Sequence, residues 1–388
     1  EGELSTIVNK LKYIPAEPLY EGARQTYWLI NEGITLVREN PSLPAEHIEY
    51  VDFNDVGAND FLVVNQYSVQ GSELRRPDLL CFVNGIPLAI WEFKTSIEEG
   101  TTVHDAWEQI TVRYRRGIPN LLRYCCLAVI SDGANNRLGT VFTPYRFFYA
   151  WNKANEQESV KNGISSLRTL IEGAFSPERF LSIVRDFVFF PDDDKHETEI
   201  VCRYPQFFAA NRMLDSICSH LRPTGDGKGG TYFGATGCGK TYTMLFLARL
   251  MMLRRTADLG NPTVVILVDR EELDTQTSEL FVTAKRFLHE DDMRSIESRQ
   301  DLSETLKGRP SGGVYVTTIQ KFCEGTGLLS ERSNIVCISD EAHRTQTGIG
   351  SRLKQTEDGV FTRFGFAHYL REGLPNATYV GFTGTPVD

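Results

Sequence analysis

The chain has 388 residues, 41% of them hydrophobic and 24% charged, and a formal net charge of −10. That length accommodates two compact domains, each large enough for its own core, and the composition is that of an ordinary soluble globular protein. The acidic balance argues against wholesale coating of nucleic acid but leaves room for a local basic track, and no apolar run approaches the roughly eighteen residues of a membrane span.

No secretory leader is read at Glu1. The eight cysteines include no C-x-x-C pair, and Cys81, Cys125, Cys126 and Cys337 sit in apolar runs, so they read as reduced core residues and not as metal ligands. Cys238 lies in a glycine-rich loop where a free thiol fits a reducing compartment, which places the protein in the cytoplasm.

In chain order, the first informative pattern is Arg75-Arg76-Pro77-Asp78 before the apolar run 79–83. Asn84-Gly85 then makes a tight hairpin turn, and a second run, 87–91, ends in Glu92-Phe93-Lys94. Two adjacent strands would carry Asp78 and Glu92 to one end, with Glu92 and Lys94 on one face and Phe93 on the other. Two convergent carboxylates can hold Mg²⁺ against a scissile phosphate, while the lysine orients water or offsets developing charge. The same residues also fit a plainer reading, an Asp cap and a surface Glu/Lys pair. The cluster Arg113-Tyr114-Arg115-Arg116 reads equally as a phosphate contact or as an exposed helix face.

From Trp151 to His196 the chain changes character, with a polar stretch, a helical pattern through Leu167, Leu170, Ile171 and Phe175, a Ser-Pro stop and the acidic triplet 192–194. The stretch reads as a mainly helical connector and the triplet as solvated linker. The expected division is 1–150, 151–198 and 199–388.

Residues 234–241, Gly-Ala-Thr-Gly-Cys-Gly-Lys-Thr, fit G-x-x-x-x-G-K-[ST] at every fixed position. Gly234, Gly237 and Gly239 let the backbone curl so that its N–H groups, those of Thr236 and Cys238 included, point at phosphates. Lys240 reaches the β- and γ-oxygens and Thr241 offers its hydroxyl to Mg²⁺. Tyr232-Phe233 reads as the end of a buried strand, and 242–253 as a helix. Further on, the apolar run 335–339 delivers Asp340-Glu341-Ala342-His343. Asp340 is placed to hold the same Mg²⁺, and Glu341 to polarise the attacking water. The chain is therefore expected to bind and hydrolyse ATP.

At Asp-Glu-Ala-His the sequence resembles the superfamily 2 helicases and translocases. The resemblance implies that Gln206, in Arg203-Tyr204-Pro205-Gln206, reads the adenine edge. It implies also that 264–276 and 317–320 touch nucleic-acid backbone, through residues such as Arg270, Gln276 and Thr318, and that Thr383-Gly384-Thr385-Pro386 couples hydrolysis to movement. Motors of this kind close a second RecA-like lobe over the nucleotide, and that lobe is expected to be absent from this chain.

The Asp78, Glu92, Lys94 pattern is similar to the PD-(D/E)xK nucleases. With the stretch 59–66, Asn84 to Pro87, Gln109, Tyr114 and 117–119, the chain resembles over nearly its whole length the restriction subunit of type I restriction-modification enzymes. In that family a glutamine precedes a tyrosine by four positions, whereas here Arg113 lies four after Gln109 and Tyr114 lies five after it. Gln109, Arg113 and Tyr114 are accordingly read as candidate DNA contacts. The resemblance implies an α/β protein with a PD-(D/E)xK domain and a RecA-like lobe built on a parallel sheet. It further implies Mg²⁺ and ATP as cofactors, double-stranded DNA as substrate, and methylation and specificity subunits as partners, the former using S-adenosylmethionine. Two rival readings are a repair or remodelling helicase whose N-terminal domain only binds DNA, and a nucleotide-gated assembly protein without turnover. The intact Asp340-Glu341 pair opposes the second.

Overall fold

The computed structural model describes the chain except residues 1, 96–101, 194–195, 236, 269–270, 292, 297, 323–326, 343–351, 357–358, 364–365 and 386–388, and except the side chains of 271–276, 299, 352–356 and 359–363. It divides into two compact units, Glu1–Phe190 with Asp194–Tyr204, and Pro191–Asp193 with Pro205–Asp388.

The first unit is built on helix α1 (Leu19–Glu32) and a six-stranded sheet. The strands are β1 (Phe61–Asn65), β2 (Leu79–Val83), β3 (Ile86–Phe93), β4 (Leu127–Ser131), β5 (Asn136–Gly139) and β6 (Tyr149–Ala150). They lie in the order β6-β5-β4-β3-β2-β1, and only β3 and β4 run parallel. The β2–β3 hairpin turns on Asn84 and Gly85, both at positive φ (50° and 79°), as the Asn-Gly dipeptide demands of a tight turn whose twist matches its strands. The parallel step needs a crossover, supplied by α2 (Val103–Glu108), which Thr102 and Asp105 cap reciprocally.

The stretch expected to connect two domains belongs to this first unit. Its helices α3 (Ser165–Ala174) and α4 (Pro177–Asp186) send Leu167, Ile171, Phe175 and Phe180 towards the sheet face bearing Phe61, Val63, Leu79, Cys81, Trp91 and Phe93, where they line an open apolar pocket of about 330 Å³. The helical spacing was legible; what ties α3 to the first unit is its buried face of Ser166, Thr169, Leu170, Gly173 and Ala174.

Two short strands, β7 (Val188–Phe189) and β8 (Ile200–Val201), pair antiparallel beyond α4. The Tyr27 hydroxyl of α1 donates to Val188 O (2.7 Å), and that of Tyr20 donates to Thr198 O (2.9 Å). Between these anchors Glu199 is 3% exposed and its Oε2 accepts no hydrogen bond.

The second unit opens with α5 (Tyr204–His220) and carries an all-parallel sheet of β9 (Lys228–Phe233), β10 (Thr263–Val268), β11 (Arg294–Ser295), β12 (Val314–Thr318), β13 (Ile335–Ser339) and β14 (Thr378–Thr383). The order is β9-β14-β13-β10-β12-β11. Its central strands β10, β12 and β13 are buried throughout, and the mostly apolar runs of β10 and β13 are those of a sheet covered on both faces. The strand before the glycine-rich loop differs from expectation. Because β9 lies at the sheet edge, beside β14 alone, Phe233 is 56% exposed. The helix after the loop, α6 (Lys240–Leu253), is buried on nearly every side, which is why its sequence is apolar all round. Among the described residues no helix is long and apolar enough to cross a membrane.

Burial holds the Glu199 carboxyl well above its ordinary 4.5, so the folded chain keeps a proton that the unfolded chain releases. The resulting stabilisation is complete below pH 4.5 and is lost as the pH climbs towards the displaced value. Relative to Glu199→Gln, which cannot ionise, the wild-type unit should therefore lose stability with rising pH, by up to about 1.4 kcal/mol per pH unit. Denaturant melts of both proteins between pH 5 and 8 test this, and parallel curves would contradict it.

Candidate nuclease and nucleotide sites

The first site forms at one end of β1, β2 and β3. Registers Asn65↔Leu79 and Leu79↔Trp91 bring Gln66, Asp78 and Glu92 to one level across the three strands. Asp78, one residue before β2, accepts from the Phe93 N–H through Oδ2 (2.8 Å). This ties it to the residue next to Glu92 and draws the two carboxylates together.

Glu92 is 2% exposed and is held at both oxygens. Lys94 Nζ lies 2.9 Å from Oε1, and the Tyr114 hydroxyl donates to Oε2 at 3.0 Å. Lys94 also donates to Gln109 Oε1 (2.8 Å), and Gln109 Nε2 donates to the Tyr114 oxygen (2.7 Å). Glu92, Lys94, Gln109 and Tyr114 therefore form a closed ring of four side chains. Burial pushes the Glu92 carboxyl up to about 7; the Lys94 hydrogen bond opposes the rise and the Asp78 charge adds to it. Burial and the Glu92 charge hold the Tyr114 phenol well above its usual value, so it is the donor in this ring.

Sequence spacing alone sets Gln109 and Tyr114 one position too far apart for a regular helical pair. The structure closes the gap with a single π-helical turn, Gln109–Tyr114, between α2 and the short helix Arg115–Gly117. A π-turn has one residue more than an α-turn and brings positions five apart into register. Both side chains thus point into the site, and Tyr114 is 2% exposed, which removes it from a DNA-facing role. Arg113, on the same turn, is exposed.

Asp78 and Glu92 offer hard oxygen ligands at adjacent strand ends, a donor set suited to Mg²⁺. Burial is the main cause of the Glu92 rise and the Asp78 charge adds to it; a divalent cation between them would offset both. No cluster of three or more His, Cys, Asp or Glu surrounds them among the described residues, so further ligands would come from backbone, water or a phosphate. Gln66, whose Nε2 donates to Asp78 Oδ1 (2.7 Å), is a site residue that sequence reasoning did not single out. It closes the quoted stretch 59–66, but only the strand register shows that it stands opposite Asp78.

The second site gathers at the C-terminal ends of β9, β14 and β13. Gly237 and Gly239 have φ of 81° and 88°, conformations that other residues rarely adopt. At Gly239 a Cβ would lie 2.5 Å from Gln206 Nε2 as well. Gln206, 5% exposed on α5, donates to Gly239 O (3.1 Å) and so braces the loop where it enters α6. The Gly234 N–H donates to Thr383 O (3.0 Å), joining the loop to the Thr383 element. Lys240 Nζ lies 3.4 Å from Gly234 O and 3.5 Å from Glu341 Oε1. Glu341 has a φ of 46°, a strained value for a residue with a Cβ and one that clusters at functional sites. Asp340 is 8% exposed and its Oδ1 accepts the Glu341 N–H (2.9 Å). Burial raises its carboxyl, with Lys240 opposing. Thr241, at the start of α6, is half-buried.

Cys238 is a half-buried free thiol in this loop. Thr318 ends β12 at 7% exposure, which leaves little of it for a nucleic-acid backbone to touch. Thr236, Arg270, His343 and Pro386, and the side chain of Gln276, lie outside the described residues.

A mixed sheet bearing an Asp/Glu-x-Lys centre, followed by a parallel sheet bearing a phosphate loop and an Asp-Glu pair, defines an α/β protein with a nuclease-like unit and a RecA-like ATPase lobe. Residues 3–147 match the family described as type I restriction enzyme R protein N terminus, and residues 205–388 the SWI2/SNF2 ATPase family. The type I restriction enzyme HindI endonuclease subunit of Haemophilus influenzae is 34% identical over 93% of this chain and 34% of its own length. The putative type I restriction enzyme MjaIXP endonuclease subunit of Methanocaldococcus jannaschii is 32% identical over 93% of this chain and 34% of its own. A type I restriction enzyme endonuclease subunit of Staphylococcus aureus is 26% identical over 97% of this chain and 36% of its own. The chain belongs to the family of type I restriction enzyme endonuclease subunits. It spans about a third of the length of these relatives.

If the π-turn serves to keep Gln109 against Tyr114, deleting Val112, whose side chain is exposed, should close it to an α-turn and preserve the ring. The deletion variant should melt within a few degrees of wild type and, in a complete enzyme, still cut DNA. Tyr114→Phe, which opens the ring, should lower cleavage by about 10- to 100-fold. Equal activity of Tyr114→Phe and wild type would remove the ring from the account.

Proposed function

We propose that this chain forms the nuclease centre and the first motor lobe of a type I restriction subunit, which cleaves double-stranded DNA with Mg²⁺ after translocating along it with ATP. The observation that carries the reading is the convergence of Asp78, Glu92 and Lys94 at one sheet end, in a chain that also holds Lys240, Asp340 and Glu341 around a phosphate loop.

In the nuclease centre Asp78 and Glu92 would hold Mg²⁺, which would supply charge stabilisation at the scissile phosphate and a more acidic water. Glu92 is kept in place by Tyr114, so the cation meets an immobile carboxylate. Lys94, held between Glu92 and Gln109, keeps its ammonium where a water or a developing negative charge would sit. In the ATPase lobe, Lys240 exchanges its contact with Glu341 for the β- and γ-phosphates, which releases Glu341 to orient the attacking water. Thr241 and Asp340 take the Mg²⁺ of the nucleotide, and Gln206 links base recognition to the loop through its contact with Gly239. Double-stranded DNA, a methylation subunit that uses S-adenosylmethionine and a specificity subunit that reads the recognition sequence are the partners, on the strength of the family. The setting is the cytoplasm.

Separate pockets make separable activities. In a complete complex, Glu92→Ala or Lys94→Ala should reduce double-strand cleavage to background while DNA-stimulated ATP hydrolysis persists. Both activities are to be measured on one preparation, and loss of ATPase in a well-folded variant would sink the assignment.

Lys240→Ala removes the cation that meets the phosphates, so it should abolish ATP hydrolysis and with it the cleavage that depends on translocation. Normal turnover by this variant, assayed at saturating ATP and DNA, would be incompatible with the proposed lobe.

A further inference from the structure

Gln66 is exposed at the end of the sheet-edge strand β1, yet it is tied to Asp78 twice. Its N–H donates to Asp78 O (3.0 Å), and its side-chain Nε2 donates to Asp78 Oδ1 (2.7 Å). To place the amide there its backbone adopts φ 52°, the left-handed region that a residue with a Cβ occupies at a cost. No local feature asks for that conformation in a glutamine: Asn or Gly would fill it with less strain.

The two carboxylates of the centre are held differently. Glu92 is buried and fixed by Lys94 and Tyr114. Asp78 is half-buried, with Oδ2 fixed by the Phe93 N–H and Oδ1 by the Gln66 amide. With both oxygens engaged, the carboxylate plane is set by one donor on each side. Each oxygen keeps a second lone pair, so the amide can orient Oδ1 without using up its capacity for a cation. We propose that Gln66 is a positioning residue for the nuclease metal: it fixes the rotamer of Asp78 so that a divalent cation finds both carboxylates already aimed. The inference rests on the assignment of Asp78 and Glu92 as ligands. Donors that orient a ligating group are worth about 10- to 100-fold in metal affinity or activity when removed.

Gln66→Gly separates orientation from folding. Glycine accepts the backbone conformation without strain and keeps the N–H bond to Asp78 O, while the amide is lost. Mn²⁺ binding to this chain without nucleotide, followed by calorimetry, should weaken about 10-fold or more, with a melting temperature no lower than wild type. In a complete complex the same variant should need correspondingly more Mg²⁺ for half-maximal cleavage, with DNA-stimulated ATPase unchanged. Gln66→Glu, which sets a third carboxylate against Asp78 and offers no donor, should not restore tight binding. Wild-type Mn²⁺ affinity and Mg²⁺ dependence in Gln66→Gly would overturn the proposal. Asp78→Ala is the control that distinguishes the two levels. If Asp78→Ala still binds Mn²⁺ and cuts, the metal centre itself has been misassigned. If Asp78→Ala is inert and Gln66→Gly is normal, only the role of Gln66 fails.

Discussion

The nuclease-like unit depends on one arrangement, a carboxylate taken almost wholly out of water and given two partners. An isolated buried carboxylate is costly enough that it protonates instead of staying charged. At Glu92 the cost is offset only in part by the Lys94 ammonium and the Tyr114 hydroxyl, which leaves the group poised near neutrality. The partners must be rigid, so the elements around them are constrained in turn. The crossover helix has to sit over the β3–β4 step, and its π-turn has to deliver Gln109 and Tyr114 together.

The ATPase lobe solves a related problem by a different route. Its lysine rests against Glu341 at 3.5 Å, where the two opposite charges partly neutralise each other. The backbone strain falls on Glu341, at φ 46°, whereas Gly237 and Gly239 take their positive φ freely. Gln206 couples the start of the lobe to this loop, and Thr383 couples its last strand to it. One loop is therefore tied both to the first helix of the lobe and to its last strand.

Much of this was legible in the sequence, for specific reasons. The phosphate loop and the Asp-Glu pair are contiguous, and their chemistry fixes residue type at each position. Asn84-Gly85 dictates the hairpin that sets Asp78 beside Glu92. What was not legible depends on register or on helical type. Gln66 lies opposite Asp78 only because β1 pairs with β2 as it does. The extra residue between Gln109 and Tyr114 looks like a mismatch until a π-turn absorbs it. Phe233 reads as core because it is a large aromatic residue at the end of a strand, although that strand is at an edge. Thr318 shows no sign in its own neighbourhood that it ends a covered strand, and the 151–190 helices declare their stripe but not the sheet they cover.

The two sheets differ in how their strand order follows the chain. In the first, every strand lies beside its neighbours in sequence, from β1 to β6 without exception. In the second, the strand that begins at Lys228 is bonded to the one that ends at Thr383, with all the others formed in between. Loop closure must precede long-range pairing. During synthesis the first sheet can therefore zip up strand by strand as it leaves the ribosome, whereas the phosphate loop, whose Gly234 leans on Thr383, waits for the far end of its lobe. A newly made chain would bring Asp78 and Glu92 together before its phosphate loop is braced.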